Sequence, residues 1–345
     1  MSMINKTEKE IMESWESDEM MVSITCVAFN HEEYIHTTLN SFLEQETTFP
    51  FEIIINDDVS TDRTVEILKD YEKTYPNIVK PVFQIENQFS QGVNPMTILF
   101  PLVSGQYVAF CDGDDYWTDK EKLQIQVNEM QKHPEVDICF HPSYRLVGDE
   151  KVEVLAKRAD HNKIFPVERS ILGQGDFTET AAMMFTSSLI HSLPEWFKTS
   201  IPGDYISEIM GAQRGGSLYI DRCMAVYRSG VEEGWTENES KKSTEQRKQT
   251  LFDFIGQLEF LDNYLEKRYH NEFDQIIHGA YFDFICSVNN ENSVKREIYV
   301  QYQESFTLKE KLMWHLLFKH QKVIEILKSV KYALLKNKST TPLSA

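Results

Sequence analysis

The apolar run Val22-Ser-Ile-Thr-Cys-Val-Ala-Phe29 has the length and β-branched content of a buried strand, and it stops at Asn30. Asn30 with Glu33 three residues later predicts a helix start. Ile35, Leu39, Phe42 and Leu43 then recur at i, i+4, i+7 and i+8, the spacing of one helix face. Residues 51–55 predict a second strand, and Val65, Leu68, Tyr71 and Tyr75 the inward face of a second helix. Strand, helix, strand, helix in that order predicts a parallel sheet with helices on its faces. Residues 79–84 read as a third strand near an edge, because Pro81 has no N–H to donate, and Asn94-Pro95 opens a short helix that Pro101 ends. A fourth strand, residues 107–111, runs into Asp112, after which Thr118 and Glu121 predict a capping box for a helix carrying Leu123, Val127 and Met130. Apolar runs at 137–141, 181–185, 217–220 and 223–227 predict later strands of an extended, mixed sheet.

Near Trp235 the pattern changes. Glu237 to Arg247 is polar and reads as a linker, and helical periodicity follows: Leu251, Phe254, Ile255, Leu258, Leu261 and Leu265 on one face, then Phe273, Ile277, Ala280, Phe284 and Val288 on another. A further capping box, Thr307 with Glu310, opens the last helix. The expected organisation is an acidic extension over 1–20, an α/β domain over 21–236 and a helical region over 237–345.

Charge narrows the function. A formal net charge of −19 on 345 residues speaks against a general nucleic-acid binder, which must neutralise phosphates with Lys and Arg. Eight lysines against Glu310 and Glu325 give residues 307–338 a net +6, leaving about −25 on the rest of the chain. With Leu308, Leu312, Leu316, Val323, Leu327 and Leu334 among its apolar residues, the helix over 307–336 is expected to lie on an anionic membrane surface. The competing expectation is a helix packed on the catalytic domain with its lysines paired to acidic groups. Cys26, Cys111, Cys139, Cys223 and Cys286 form no Cys-x-x-Cys pair, the usage of a reducing compartment, and the Glu-rich start has no apolar segment of a signal peptide. A cytoplasmic protein is expected, peripheral on the inner face of the plasma membrane if that helix binds lipid.

Chemistry concentrates in Phe110-Cys-Asp-Gly-Asp-Asp-Tyr-Trp117, where Asp112, Asp114 and Asp115 emerge at the end of a buried strand. Three carboxylates in four residues repel one another, and hard oxygen ligands suit Mg²⁺ or Mn²⁺. Open α/β sheets bind ligands outside the carboxyl ends of their strands. The loop after the second strand brings Asp57 and Asp58 to the same edge, free to accept hydrogen bonds from a base N–H or ribose hydroxyl, while Ser60, Thr61 and Asp62 read as helix caps.

Together these residues resemble a family. Phe29-Asn30, Asn56-Asp-Asp-x-Ser-Thr-Asp62, Gly105-x-Tyr-Val-Ala-Phe-x-Asp-Gly-Asp-Asp115, Gly203-Asp204-Tyr205 and Tyr227-Arg228 are similar, in order and placement, to the family-2 glycosyltransferases. The resemblance implies the GT-A fold, Rossmann-like with a mostly parallel mixed sheet and helices on both faces. It also implies an inverting hexosyltransferase using a nucleotide-sugar donor, most often a UDP-sugar, with a divalent metal, and acting on a saccharide or lipid-linked acceptor in surface polysaccharide synthesis. By position, Phe29 stands against the base, Asp58 binds the uracil, Asp112 the ribose, Asp114 and Asp115 the metal-diphosphate, and Asp204 is the general base. Arg228 reaches either the diphosphate or a structural ion pair.

Two departures stand out. Val59 occupies a position that is often Gly, and Ser229-Gly-Val-Glu-Glu follows Tyr227-Arg228 where relatives often carry a His that helps hold metal or diphosphate. Trp235 is either a sugar-stacking lid or a loop anchor. Two other readings compete: an inactive relative serving as a scaffold subunit, and a sugar-nucleotide nucleotidyltransferase. The second needs a basic, Gly-rich loop after the first strand, where this chain has the acidic Asn30-His-Glu-Glu33.

Overall fold

A computed structural model describes residues 3–148, 150–200, 202–231, 241–287 and 289–319, in two compact units, Met1–Ser240 and Lys241–Ala345. In chain order the first unit runs α1 (Glu8–Met12), β1 (Val22–Ala28), α2 (Ile35–Leu43), β2 (Phe51–Asp57), α3 (Thr64–Thr74), β3 (Val79–Phe83), β4 (Tyr107–Asp112), β5 (Tyr116–Trp117), α4 (Lys122–Lys132) and β6 (Ile138–Phe140). It continues with β7 (Ser143–Val147), β8 (Glu150–Leu155), β9 (Lys163–Phe165), α5 (Val167–Gly173), β10 (Met184–Thr186), α6 (Ser187–Ser192), α7 (Gly203–Ala212), β11 (Ser217–Tyr219) and β12 (Ala225–Ser229). Among the described residues the main sheet has the order β3-β2-β1-β4-β10-β6-β11-β9, and a smaller one has the order β5-β12-β7-β8. β3, β2, β1 and β4 are parallel neighbours, β10 is antiparallel to both of its neighbours, and the fold is the mixed α/β sheet expected.

β1, β2 and β4 are almost wholly buried, which is why they read as unbroken apolar runs. Their lower ends are locked by one buried carboxylate. Glu52 accepts from Ser23 Oγ (2.6 Å), Ser104 N (3.0 Å) and Lys80 Nζ (2.5 Å), joining β1, β2, β3 and the turn before β4. Burial alone raises the Glu52 pKa, but Lys80, Ser104 and Ser23 outweigh it and hold the group below its usual range. Above that lock the register pairs Val22 with Tyr107 and Val27 with Asp112, so the three strands end on one level.

Local details differ from the pattern. Asn30 does not cap α2: it sits in the left-handed region (φ 53°) and its side chain turns to Thr61, leaving the helix to start at Ile35 without a side-chain cap. Thr118 and Glu121 form no capping box; Thr118 N donates to Met224 O, and the turn before α4 is made by Asp119 Oδ1 accepting from Glu121 N. Ile67, not Val65, faces inward from α3. The acidic extension is docked. Its Thr7/Glu10 capping box starts α1, Glu8 accepts from Asn77 N (2.7 Å), and Trp15 meets Phe51 edge-on at 5.7 Å.

The second unit comprises α8 (Thr244–Tyr264), α9 (His270–Cys286), α10 (Asn292–Tyr302) and α11 (Leu308–Lys319). Its core gathers Leu251, Ile255, Tyr281, Phe284, Ile298, Phe306 and Trp314, with Phe254 only half-buried. The Thr307/Glu310 capping box forms as expected, and Ser243 with Gln246 makes another. Among the described residues no helix is long and apolar enough to cross a membrane. Trp235, Val288 and the predicted helix beyond 319 lie outside the described residues.

Two predictions follow from the sheet. A Cβ on Gly105 would stand 2.6 Å from Ser23 N and 2.7 Å from Val22 C, where neither backbone atom can yield. Gly105→Ala is expected to destabilise the protein by about 2 kcal/mol or more in urea unfolding. Lys122 is fully buried, its ammonium 2.7 Å from Gln126 Oε1 and 3.9 Å above the Trp117 ring, and burial pushes its pKa down to about 7. Between that value and an ordinary lysine pKa of about 10.4 the unfolded chain binds the extra proton, so this group makes stability rise with pH across the window. Lys122→Met should flatten the rise when unfolding is measured near pH 7 and pH 9.5.

Candidate active site

The exits of β1 and β2 are clamped together by short polar side chains. Asn30 N donates to Ser60 Oγ (2.9 Å), Thr61 N to Asn30 Oδ1 (2.8 Å), His31 N to Thr64 Oγ1 (2.9 Å) and Glu32 N to Asp62 Oδ2 (2.9 Å). Ser60, Thr61 and Asp62 thus serve the neighbouring loop as well as their own helix start. Val59, just before them, has φ 68°, a strained conformation for a β-branched residue.

Asp57 and Asp58 are both buried and both engaged. Asp57 Oδ2 accepts from Ser60 N (3.1 Å), while its Oδ1 is buried without a partner among the described residues, and burial raises its pKa. The Asp58 oxygens accept from Gln88 N (2.7 Å) and Phe89 N (3.0 Å), fixing the loop that follows β3. An ionised carboxylate has about four acceptor positions, so Asp58 keeps capacity for a ligand N–H. Phe29 is half-buried at the same edge.

At the end of β4 the chain turns sharply. Gly113 N donates to Val27 O (2.8 Å), and the Thr38 hydroxyl lies 2.9 Å from Gly113 O and 2.6 Å from Asp115 O. Only glycine fits at 113, because a Cβ would meet His31 Nδ1 at 2.7 Å and Val27 O at 3.0 Å. The turn sends the three acids different ways. Asp115 is buried, its Oδ1 accepting from Arg228 N (2.8 Å), a bond that ties the β4 exit to β12. Asp112 and Asp114 remain partly exposed.

Asp204 is brought to this mouth from far along the chain. It is the second residue of α7 rather than its cap. Its Oδ1 accepts from Tyr205 N (2.8 Å) and its Oδ2 from Thr180 Oγ1 (3.4 Å). Gly203 before it lets Asn94 approach, since a Cβ there would overlap the Asn94 amide at 1.9 Å. Thr180 sits in a short 3-10 turn whose Ala181 O accepts from Trp117 Nε1 (3.0 Å) and whose Ala182 O accepts from Gln126 Nε2 (3.0 Å).

The electrostatics record the convergence. Burial, then the charges of Asp114 and Asp204, push Asp112 up to about 8. Burial, Asp114 and Asp112 raise Asp115 well above the carboxylate range, and burial raises Asp204. Glu179, beside Thr180, is pushed up to about 7 by burial and by Asp204. The Arg228 guanidinium lies 4.8 Å from the Tyr116 ring centre and 5.3 Å from that of Tyr34, with Nε buried and without a hydrogen-bond partner among the described residues.

No group of three or more His, Cys, Asp or Glu among the described residues is arranged to enclose a metal ion. Two partly exposed carboxylates fit a different kind of site, in which Mg²⁺ or Mn²⁺ is held by one or two protein oxygens and completed by phosphate oxygens of a ligand. Of the residues the sequence singled out, Asp112, Asp114, Asp115, Asp204 and Arg228 share one mouth, and Phe29, Asp57 and Asp58 line the neighbouring strand exits. Thr38 and His31 were not singled out in the sequence, and Asn30 and Thr61 read there as cap and motif residues but not as a pair, because these roles depend on which loops the sheet makes adjacent.

A mixed sheet with an acidic turn at the exit of a central parallel strand, faced by a further acid from a distant helix, defines a GT-A glycosyltransferase. Residues 23–191, just under half of the chain, match the family model Glycosyl transferase family 2, so the first unit carries a domain similar to that family. It is 32% identical over 215 residues to the uncharacterized protein Rv1520 of Mycobacterium tuberculosis, covering 62% of this chain and 60% of that protein. It is 35% identical over 114 residues to the Escherichia coli UDP-Glc:alpha-D-GlcNAc-diphosphoundecaprenol beta-1,3-glucosyltransferase WfaP, covering 32% of this chain and 43% of that protein. The solved structure of S. aureus TarS 1-349 in complex with UDP-GlcNAc has the same fold, with a TM-score of 0.57 at 18% identity over 88% of this chain and 92% of that one.

The different engagement of Asp114 and Asp115 separates their variants. Asp114→Ala should keep parental stability and lose the Mn²⁺-dependent thermal shift with UDP. Asp115→Ala, which leaves Arg228 N without its acceptor, should cost about 1–3 kcal/mol in urea unfolding.

Proposed function

We propose that this glycosyltransferase is an inverting hexosyltransferase that moves a sugar from a UDP-sugar to a hydroxyl of a saccharide or lipid-linked saccharide in surface polysaccharide synthesis. The observation that carries the reading is the placement of Asp204, which accepts from Thr180 in the turn that Trp117 of β5 holds beside the acidic β4 exit. A single displacement needs the leaving diphosphate on one side of the anomeric carbon and a proton acceptor on the other. The donor and acceptor classes named for WfaP support the choice of a UDP-sugar and a lipid-linked acceptor.

In this reading the nucleoside lies across the exits of β1 and β2, with Phe29 against the base. Asp58 accepts the base N–H with its remaining lone pairs while its backbone partners hold the loop that walls the pocket. Asp57 keeps the turn from Asp58 to Ser60 in shape. Asp112 accepts from a ribose hydroxyl, and Asp114 would hold a Mg²⁺ or Mn²⁺ ion, Asp115 fixing the turn behind it. Such an ion would supply neutralisation of the charge that develops on the departing diphosphate. Arg228, aligned by Tyr34 and Tyr116, offers its unpartnered Nε–H to the same phosphates. Asp204, held by Tyr205 N–H and the Thr180 hydroxyl, takes the proton of the attacking hydroxyl, and burial raises its affinity for that proton. The protein works in the cytoplasm at the inner face of the plasma membrane, where a lipid-linked acceptor would be presented.

Glu179 gives a second reading of the base, since its pKa of about 7 beside Asp204 also suits proton transfer near neutral pH. The two separate by substitution. A screen of UDP-sugars for UDP release identifies the donor, and Asp204→Asn should then lower turnover by about 10² to 10⁴ with UDP binding unchanged. Glu179→Gln should retain turnover within a few-fold. The reverse pattern moves the base to Glu179, and no UDP release or UDP-dependent thermal shift with any UDP-sugar overturns the donor assignment.

A further inference from the structure

α11 shows two unlike faces. One packs inside the second unit: Trp314 is 5% exposed and stacked on Tyr299 at 4.7 Å, and Glu310 meets His278 Nε2 at 3.0 Å. The other carries Leu308, Leu312 and Leu316, one turn apart at i, i+4 and i+8, and they are 75%, 58% and 64% exposed, with Met313 at 40%. Three leucines in line on the outside of a helix leave a continuous apolar strip in water, an unfavourable arrangement unless something covers it. Lys309 is exposed between them. In the sequence Val323, Leu327 and Leu334 follow at intervals of seven, four and seven residues, amid Lys319, Lys322, Lys328, Lys331, Lys336 and Lys338.

We infer that this leucine strip with its lysines is a docking surface for an anionic lipid bilayer, the apolar side chains entering the acyl boundary and the ammonium groups meeting the headgroups. The charge of the sequence argues for that occupant. Residues 307–338 carry a net +6 on a chain of −19, so the exposed leucines open the one strongly cationic stretch of an acidic sequence. Lysine suits the edge of such a strip because its aliphatic stem lies along the apolar boundary while the charge stays in the headgroup layer. Trp314 sets the orientation, since stacking on Tyr299 turns the leucines outward. The bilayer contact itself does not require the donor chemistry; its use, holding the enzyme where a lipid-linked acceptor lies, rests on the transferase reading above.

The full chain is tested by flotation with vesicles of phosphatidylcholine alone and of equal parts phosphatidylcholine and phosphatidylglycerol, at low and high salt. Binding to the phosphatidylglycerol vesicles at low salt is expected, weakened by salt and at least about tenfold weaker on phosphatidylcholine alone. Leu308→Glu with Leu312→Glu and Leu316→Glu should abolish it at both salt concentrations. Replacing Lys309, Lys319, Lys322 and Lys328 by Gln should lower partitioning about fivefold per charge and weaken the salt dependence, and it tests the surface even if the leucine variant fails to fold. A parent protein that stays unbound at low salt overturns the inference. So does flotation unchanged in both variants, or sedimentation showing that the leucines join two copies of the chain in a parent that does not float. The UDP thermal shift is measured on every variant: flotation lost with the shift kept isolates the lipid surface, and flotation kept without any UDP response counts against the transferase reading alone.

Discussion

Mutual repulsion among carboxylates is the constraint around which the catalytic unit is built. Asp112, Asp114 and Asp115 leave one strand within four residues, and Asp204 and Glu179 are folded in beside them, in a partly buried place where charge is poorly screened. Such a cluster persists because neutral polar groups hold it open: Val27 O and the Thr38 hydroxyl fix the turn at Gly113, and Arg228 N holds Asp115. Burial and the neighbouring charges raise Asp112, Asp115 and Glu179 above the ordinary carboxylate range. Protons relieve that repulsion, and a divalent cation would do the same.

That repulsion is borne by the sheet beneath. Parallel pairing of β1 with β2 and β4, locked at the lower end by the buried Glu52, brings three strand ends to one level, so that loops distant in sequence face one another. Asn30 and Thr61 then join, and Asp58 reaches across to Gln88 and Phe89. The strained Val59 is the cost of closing this frame without glycine, offset by hydrogen bonds on both sides of it.

The same economy appears in the second unit. Stacked rings, Tyr281 on Tyr302 and Tyr299 on Trp314, join buried aliphatic residues such as Ile285 and Ile298 in packing the described helices. The packing consumes one face of α11 and leaves another bare, so the exposed leucines follow from which face the aromatic stack selects.

Sequence alone determined the elements whose environment is uniform along their length. Fully buried strands read as apolar runs and amphipathic helices as a stripe, because each depends only on neighbours a few residues away. The segment from Ser143 to Phe165 stayed illegible, since β8 is exposed along nearly all its length and β9 is three residues long, so neither has a pattern to show. Only the tertiary structure decided that Asp115 is held by Arg228 while Asp114 is left accessible, that Asp204 lies in the first turn of α7 and not at its cap, and that Asn30 clamps a loop in place of capping a helix. Those outcomes depend on strand order and register, which bring together residues from loops far apart in the chain, and hydrogen bonds between such loops leave no local periodicity by which they could be foreseen.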